Sequence, residues 1–140
     1  MGTFKRLSPK LLRCSDLFGS PDLPIVTYAH YCAACDELHH FAVDKPFSNG
    51  ARWIFNGNAA SPTFQPSMNI RIGPFPAGSG PRDRTTGERT GTLSVCHYFL
   101  RDGRIQYLGD CTHDMSGMTT ELQDVPASAV QWMTEKSDAA

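Results

Sequence analysis

TLSVCHYFLRDGRIQYLG, residues 92–109, is the stretch that decides the fold. An Asp-Gly pair between two alternating apolar arms is the strongest short-range hairpin signal, because both residues tolerate the positive φ of a two-residue primed turn. With Asp102 and Gly103 as the loop, Arg101 pairs with Arg104, Leu100 with Ile105, Tyr98 with Tyr107, and Cys96 with Gly109. Alternation then gives Cys96, Tyr98, Leu100, Ile105 and Tyr107 one face, with His97 and Phe99 on the other. Two residues further along the second arm, Cys111 falls on the Cys96 face, diagonal to it.

Working outward, residues 25–31 are β-branched and aromatic and read as a strand running into Cys32-Ala33-Ala34-Cys35. The chain returns through His39, Phe41 and Val43, so the cysteine pair sits in a tight turn between two strands. Residues 51–55 and 68–72 are further strand candidates, the latter with Met68, Ile70 and Ile72 inward and Asn69 and Arg71 outward. Pro62 and Pro66 cannot donate to a ladder, which places the intervening segment at an edge or outside the sheet. Met118 to Leu122 makes one last strand. The fold class expected is mainly β: a small antiparallel-sheet domain with zinc-ribbon-like Cys knuckles and short helical turns. Its organisation is an N-terminal arm over 1–24, with at most a short helix after Ser8, and a single β-rich zinc-binding domain over 25–126. A long Gly- and Pro-rich loop at 73–91 interrupts that domain, and 127–140 form a helical turn and tail.

Composition agrees with one small domain. Of 140 residues, 40% are hydrophobic, and 12 Gly with 10 Pro give turns an unusually large share of the backbone. A formal charge of −1 provides no field for nucleic acid or an anionic membrane. No segment approaches the roughly 20 apolar residues that span a bilayer, and no apolar run follows the first residues as a secretory signal would.

Five cysteines, an odd number without a secretory signal, argue against a disulfide scaffold. Zinc takes four ligands at tetrahedral corners, and a Cys-x-x-Cys turn supplies two of them. Cys96 and Cys111 share a face and can supply the rest, or His113 can replace one of these two. The metal-site candidates are therefore Cys32, Cys35, Cys96, Cys111 and His113, with zinc as the cofactor and iron as the other metal that thiolates suit. Two core cysteines or a redox pair are the competing readings; the extended residues after Cys35 disfavour the second, which needs a helix to lower the thiol pKa. His97 and His113, near Asp110 and Asp114, could instead form an open site where a metal activates water. His39 and His40 adjoin in a strand and do not readily face one metal, and His30 reads as an exposed strand residue.

Several pieces resemble a small uncharacterised domain family of tailed bacteriophages and prophages, some members of which carry the label ammonia monooxygenase. These are Trp-Ile-Phe-Asn-Gly-Asn at 53–58, Pro-Thr-Phe-Gln-Pro-Ser at 62–67, Cys-His-Tyr-Phe at 96–99 and Asp-Gly-Arg-Ile-Gln-Tyr-Leu-Gly-Asp-Cys-Thr-His at 102–113. The resemblance implies a phage structural or accessory protein, zinc-stabilised and non-enzymatic. Its partners would be other phage structural proteins or further copies of itself, and its location the virion, or the host cytoplasm before assembly. The alternatives are a metal-dependent hydrolase using His97 and His113, and a small regulatory protein binding a host factor.

Overall fold

The computed structural model describes residues 2–20, 22–73 and 93–136. Its strands are β1 (Thr3–Ser8), β2 (Leu11–Gly19), β3 (Pro24–Cys32), β4 (Glu37–Ala42), β5 (Ile54–Phe55), β6 (Phe64–Ile72), β7 (Ser94–Arg101), β8 (Arg104–Tyr107), β9 (Thr119–Glu121) and β10 (Thr134–Glu135). They form two five-stranded sheets, ordered β10-β1-β2-β3-β4 and β5-β6-β7-β8-β9. The protein is a mainly-β, two-sheet domain. One turn of 3-10 helix, Ala127–Ala129, is the only helical element among the described residues, none of which forms a helix long and apolar enough to cross a membrane.

Pairing is local almost everywhere. The β7–β8 hairpin has the register that alternation demands, Tyr98↔Tyr107 through Arg101↔Arg104, with Asp102 at φ 49° and Gly103 at φ 73° in the turn. Residues 3–19 differ from expectation. Instead of a short helix after Ser8 they make two strands, because Pro9 and Lys10 form the turn between them, fastened by the Ser8 hydroxyl accepting the Lys10 N–H. Apart from Gly73, the loop expected at 73–91 lies outside the described residues, as does the end of the tail from 137.

Alternation sorts the apolar residues into two cores. Leu11, Cys32 and Phe41 of the first sheet meet Phe64, Met68, Cys96, Tyr98, Leu100, Ile105 and Tyr107 of the second. On the far face of the first sheet, Phe4, Leu12, Cys14 and Ala29 are covered by Val125, Val130 and Met133 as the chain returns toward β10. Burial pushes the Cys14 thiol up to about 12, so it behaves as a small apolar residue. Each fully buried apolar side chain contributes about 1.5–3 kcal/mol, which makes the inter-sheet core the main source of stability.

The strand after Pro62 also departs from expectation. Phe64 and Gln65 enter the second sheet, pairing with β5, and the irregularity falls just beyond them. Phe64 lies opposite Leu100 and Met68 opposite Tyr98, so four steps along β6 match two along β7. The surplus is a bulge holding Gln65, Pro66 and Ser67, and Pro66 is tolerated because the ladder is already broken there.

Candidate active site and metal cluster

Strand β7 carries two groups of polar residues, one on each face. Cys96 points into the inter-sheet core, and its neighbour His97 points outward. Asn69 lies opposite His97, and a regular ladder would put Ser67 opposite Phe99, diagonal to the histidine. In the bulge, with its carbonyl accepting the Trp53 indole N–H at 3.2 Å, Ser67 brings its Oγ to 3.1 Å from His97 Nε2.

Asp110 approaches the other ring nitrogen, its carboxylate oxygens 3.0 and 3.2 Å from His97 Nδ1. The turn after β8 sets this position. Leu108 N–H donates to the His97 carbonyl, Thr112 N–H donates to the Val95 carbonyl, and Cys111 N–H closes back onto the Leu108 carbonyl. Cys111 adds a clip: its Sγ accepts the His97 N–H at 3.3 Å and donates to the His97 carbonyl at 3.1 Å. A carboxylate only accepts, so His97 carries its proton on Nδ1, leaving Nε2 to accept the Ser67 hydroxyl. The hydrogen bond from His97 holds the Asp110 carboxyl below its usual range, and Arg71, with a nitrogen 3.8 Å away, adds to this. The His97 side chain is 22% exposed and that of Asp110 44%, so solvent reaches both. Serine, histidine and carboxylate in this order of contact are the arrangement that activates a hydroxyl as a nucleophile.

Behind this group, on the inner face, Cys32, Cys35, Cys96 and His39 bring their ligand atoms within 4.8 Å of one another. Cys32 ends β3, and Cys35 lies in the tight turn that follows, where Asp36 adopts the left-handed φ of 54°. His39 comes from β4 and Cys96 from β7. The Cys32 thiol is drawn well below its ordinary value, chiefly by hydrogen bonds from Cys35 and Cys96. Those same bonds push Cys35 and Cys96 well above theirs. Three thiols this crowded resist ionising together, and a divalent cation would supply the charge that lets them do so.

The histidine fits that cation. Burial lowers the His30 pKa to about 4, so its ring is neutral, and its Nδ1 can only donate to the Tyr31 carbonyl at 3.1 Å. The Tyr98 hydroxyl must then donate to His30 Nε2, and its oxygen accepts from His39 Nδ1 at 3.0 Å. This leaves a lone pair on His39 Nε2, a buried atom without a hydrogen-bond partner. Glu37 Oε1, 3.5 Å from it, is itself an acceptor and cannot use that lone pair. Cys32 Sγ has the Tyr107 hydroxyl at 3.1 Å, the kind of outer contact that metal thiolates carry. The protein therefore holds a Cys-Cys-His-Cys cluster capable of coordinating a divalent metal.

Of the residues singled out in the sequence, the fold gathers Cys32, Cys35 and Cys96. Cys111 is clipped to the His97 backbone. His113 packs edge-on against Tyr107 with ring centroids 4.8 Å apart, and its Nδ1 accepts the Met115 N–H. His30, expected on the surface, is fully buried as the anchor of the Tyr98 chain. His97 and His113 do not share a metal, since His97 spends both ring nitrogens on Ser67 and Asp110. Sequence reasoning missed Ser67 and His39. For Ser67 no strong local motif exists. For His39 the strand period was an available signal, since it puts His39 on the Phe41 face and turns His40 away.

No curated protein and no solved structure matches the chain. A family model does, over residues 6–108 of 140; the family is described as "Bacterial ubiquitination-like system serine protease (BubE)". This match overturns the phage-domain resemblance, and with it the non-enzymatic structural role, the phage partners and the virion location. The physical reason lies in the pieces that carried the resemblance. Residues 62–67, 96–99 and 102–113 contribute Ser67, His97 and Asp110, so what they share is the assembly of this contact. The matched span includes Ser67, His97 and all four cluster residues and ends two residues before Asp110. Covering well over half of its length, the match shows that the chain belongs to the BubE family.

Proposed function

We propose that the chain is a serine protease in which Ser67 is the nucleophile, His97 the general base and acid, and Asp110 a positioning residue. The observation that carries the reading is the unbroken contact from Ser67 Oγ through both nitrogens of His97 to the Asp110 carboxylate. The family's description supplies the reaction class, protein hydrolysis, and the ordering of the three groups supplies the means.

In this mechanism Ser67 Oγ attacks the scissile carbonyl carbon while its proton passes to His97 Nε2. The imidazolium that forms keeps its Nδ1–H on Asp110, whose negative charge stabilises it. Collapse of the tetrahedral intermediate breaks the C–N bond, and His97 returns the proton to the departing amine. Water then repeats the sequence on the acyl-enzyme, giving up a proton to His97 and releasing the acid and the Ser67 hydroxyl.

The metal belongs to stability in this reading. Cys32, Cys35, Cys96 and His39 would hold zinc as a closed tetrahedral set, with the Cys32-x-x-Cys35 turn as a zinc-ribbon-like knuckle. Four protein ligands leave no position for substrate, and the cluster, three of its four residues buried, lies on the face away from Ser67. Zinc would tie β3, β4 and β7 together directly behind the reacting groups.

A fluorophosphonate probe tests the nucleophile. The native protein should form one covalent adduct, mapped by mass spectrometry to Ser67 and abolished by Ser67→Ala. A folded, zinc-loaded protein that resists the probe, or carries the adduct on another serine, would sink the proposal.

A further inference from the structure

Beyond its short pairing with β5, strand β6 has one side that no described strand covers. Beside β7, the backbone groups of Val95 and His97 turn toward the β8 side, where they bond Thr112, Cys111 and Leu108. Ser94, Cys96 and Tyr98 therefore turn theirs toward β6, onto Ile72, Ile70 and Met68. By alternation the N–H and C=O of Asn69 and Arg71 point the opposite way. On that side β5 reaches only as far as Ile54↔Gln65, and the Trp53 indole occupies the Ser67 carbonyl. Beyond Ser67, two donors and two acceptors stand in strand geometry without a partner strand among the described residues. Exposed Ile54 and Ile72 flank this edge, on β5 and at the far end of β6.

We infer that the substrate is an extended polypeptide segment that pairs as an added strand with the outward main-chain groups of Asn69 and Arg71, which presents its scissile bond to Ser67. This rests on the serine-protease reading above and specifies what that site recognises. An uncovered edge invites pairing with another chain, and proteins generally blunt such edges. Here the open edge starts two residues after the nucleophile, where a strand laid against it passes Ser67. Main-chain pairing gives affinity independent of sequence, while side chains of one parity meet the outer face, which carries Ile54, and those of the other meet the inner face, which carries Ile72.

The test uses the full-length, zinc-loaded protein and a pool of short unstructured peptides, with cleavage read by mass spectrometry and fluorophosphonate labelling of Ser67 measured in parallel. One cleaved peptide is then remade with a single N-methyl group at each amide in turn. Strand pairing predicts a loss of about fivefold in kcat/KM at alternate positions and little change between them, the value of one main-chain hydrogen bond. Equal sensitivity at every position, or none, would overturn the inference.

Asn69→Pro, compared with Asn69→Ala, removes one outward donor and leaves the β6–β7 ladder intact. It should lower peptide cleavage about fivefold while labelling of Ser67 proceeds as in the alanine variant. A parallel fall in labelling, or equal cleavage by the two variants, counts against the edge. If the native protein labels at Ser67 but cleaves no peptide, the edge reading fails and the nucleophile stands. If Ser67 does not label, the serine-protease reading falls first.

Discussion

Cys96 and His97 are consecutive residues of one strand, yet they serve opposite kinds of site. The inner group is buried except for the half-buried Cys35, and it keeps one buried nitrogen, His39 Nε2, without a hydrogen-bond partner. The outer group is partly exposed and open, with a hydroxyl left for something that arrives from solvent. The period of two in a β-strand makes this possible without any insertion. An inner face tied together by a metal would hold the backbone of His97 steady for the chemistry proposed for its ring. The two sites should therefore fail independently under one kind of perturbation and together under another.

The largest separation should come from Ser67→Ala. Without the hydroxyl, hydrolysis should fall by on the order of 10⁴-fold or more, as when the serine of other such arrangements is removed. Zinc content and Tm should stay as in the native protein, because the methyl group fits where the hydroxymethyl stood. Activity assays beside elemental analysis and calorimetry would check this; a lost metal or a large drop in Tm would show that the faces are not separate. Cys35→Ser asks the converse. Losing a ligand leaves crowded thiols with no cation, for an expected cost of about 4 kcal/mol, or roughly 15 °C in Tm for a chain this size. Activity should survive at temperatures well below the new midpoint and vanish with unfolding, since Cys35 touches no reacting group.

Part of this contrast was legible in the sequence. The Asp102-Gly103 hairpin is encoded by adjacent residues, so its register and the inward face of Cys96 followed from alternation. The Cys32-x-x-Cys35 spacing likewise placed two thiols in one turn. What stayed hidden depends on distant segments. Ser67 reaches His97 through a bulge that shifts β6 against β7, and no local pattern announces a two-residue surplus there. His39 and His40 adjoin, which hides the pair as a joint metal site, although consecutive strand residues point to opposite faces and one of them can face a metal alone. Residues 3–19 read as an arm because prolines and glycines punctuate them. Pro9 in fact marks a hairpin turn, and Leu11 and Leu12, pointing opposite ways, enter two different cores.

Asp110→Asn should come next in size. The amide preserves the shape but can offer its NH₂ to His97, favouring the tautomer with the proton on Nε2, which cannot accept from Ser67. A loss of about 10²-fold in kcat is expected, smaller than for buried aspartates because water reaches this one. Fluorophosphonate labelling should slow in step, while zinc content and Tm remain unchanged. If kcat held and only KM rose, Asp110 would be a substrate contact instead of a positioning residue.

The smallest effect should come from Tyr98→Phe, which probes the inner face without touching a ligand. Its hydroxyl is the link that lets His30, anchored on the Tyr31 carbonyl, dictate the tautomer of His39. Removing it leaves two buried ring nitrogens without their partner, at a cost of about 1–3 kcal/mol. Freed from that constraint, His39 can place its proton on Nε2, where it competes with metal. Zinc affinity should therefore fall about 10- to 100-fold, measured by competition with a chromogenic chelator, while all four ligands are still present. Labelling of Ser67 in zinc-saturating buffer should match the native protein, because Tyr98 turns toward the core and His97 away from it. Unchanged affinity would mean that the His30-Tyr98-His39 chain does not set the tautomer and does not ready His39 as the fourth ligand.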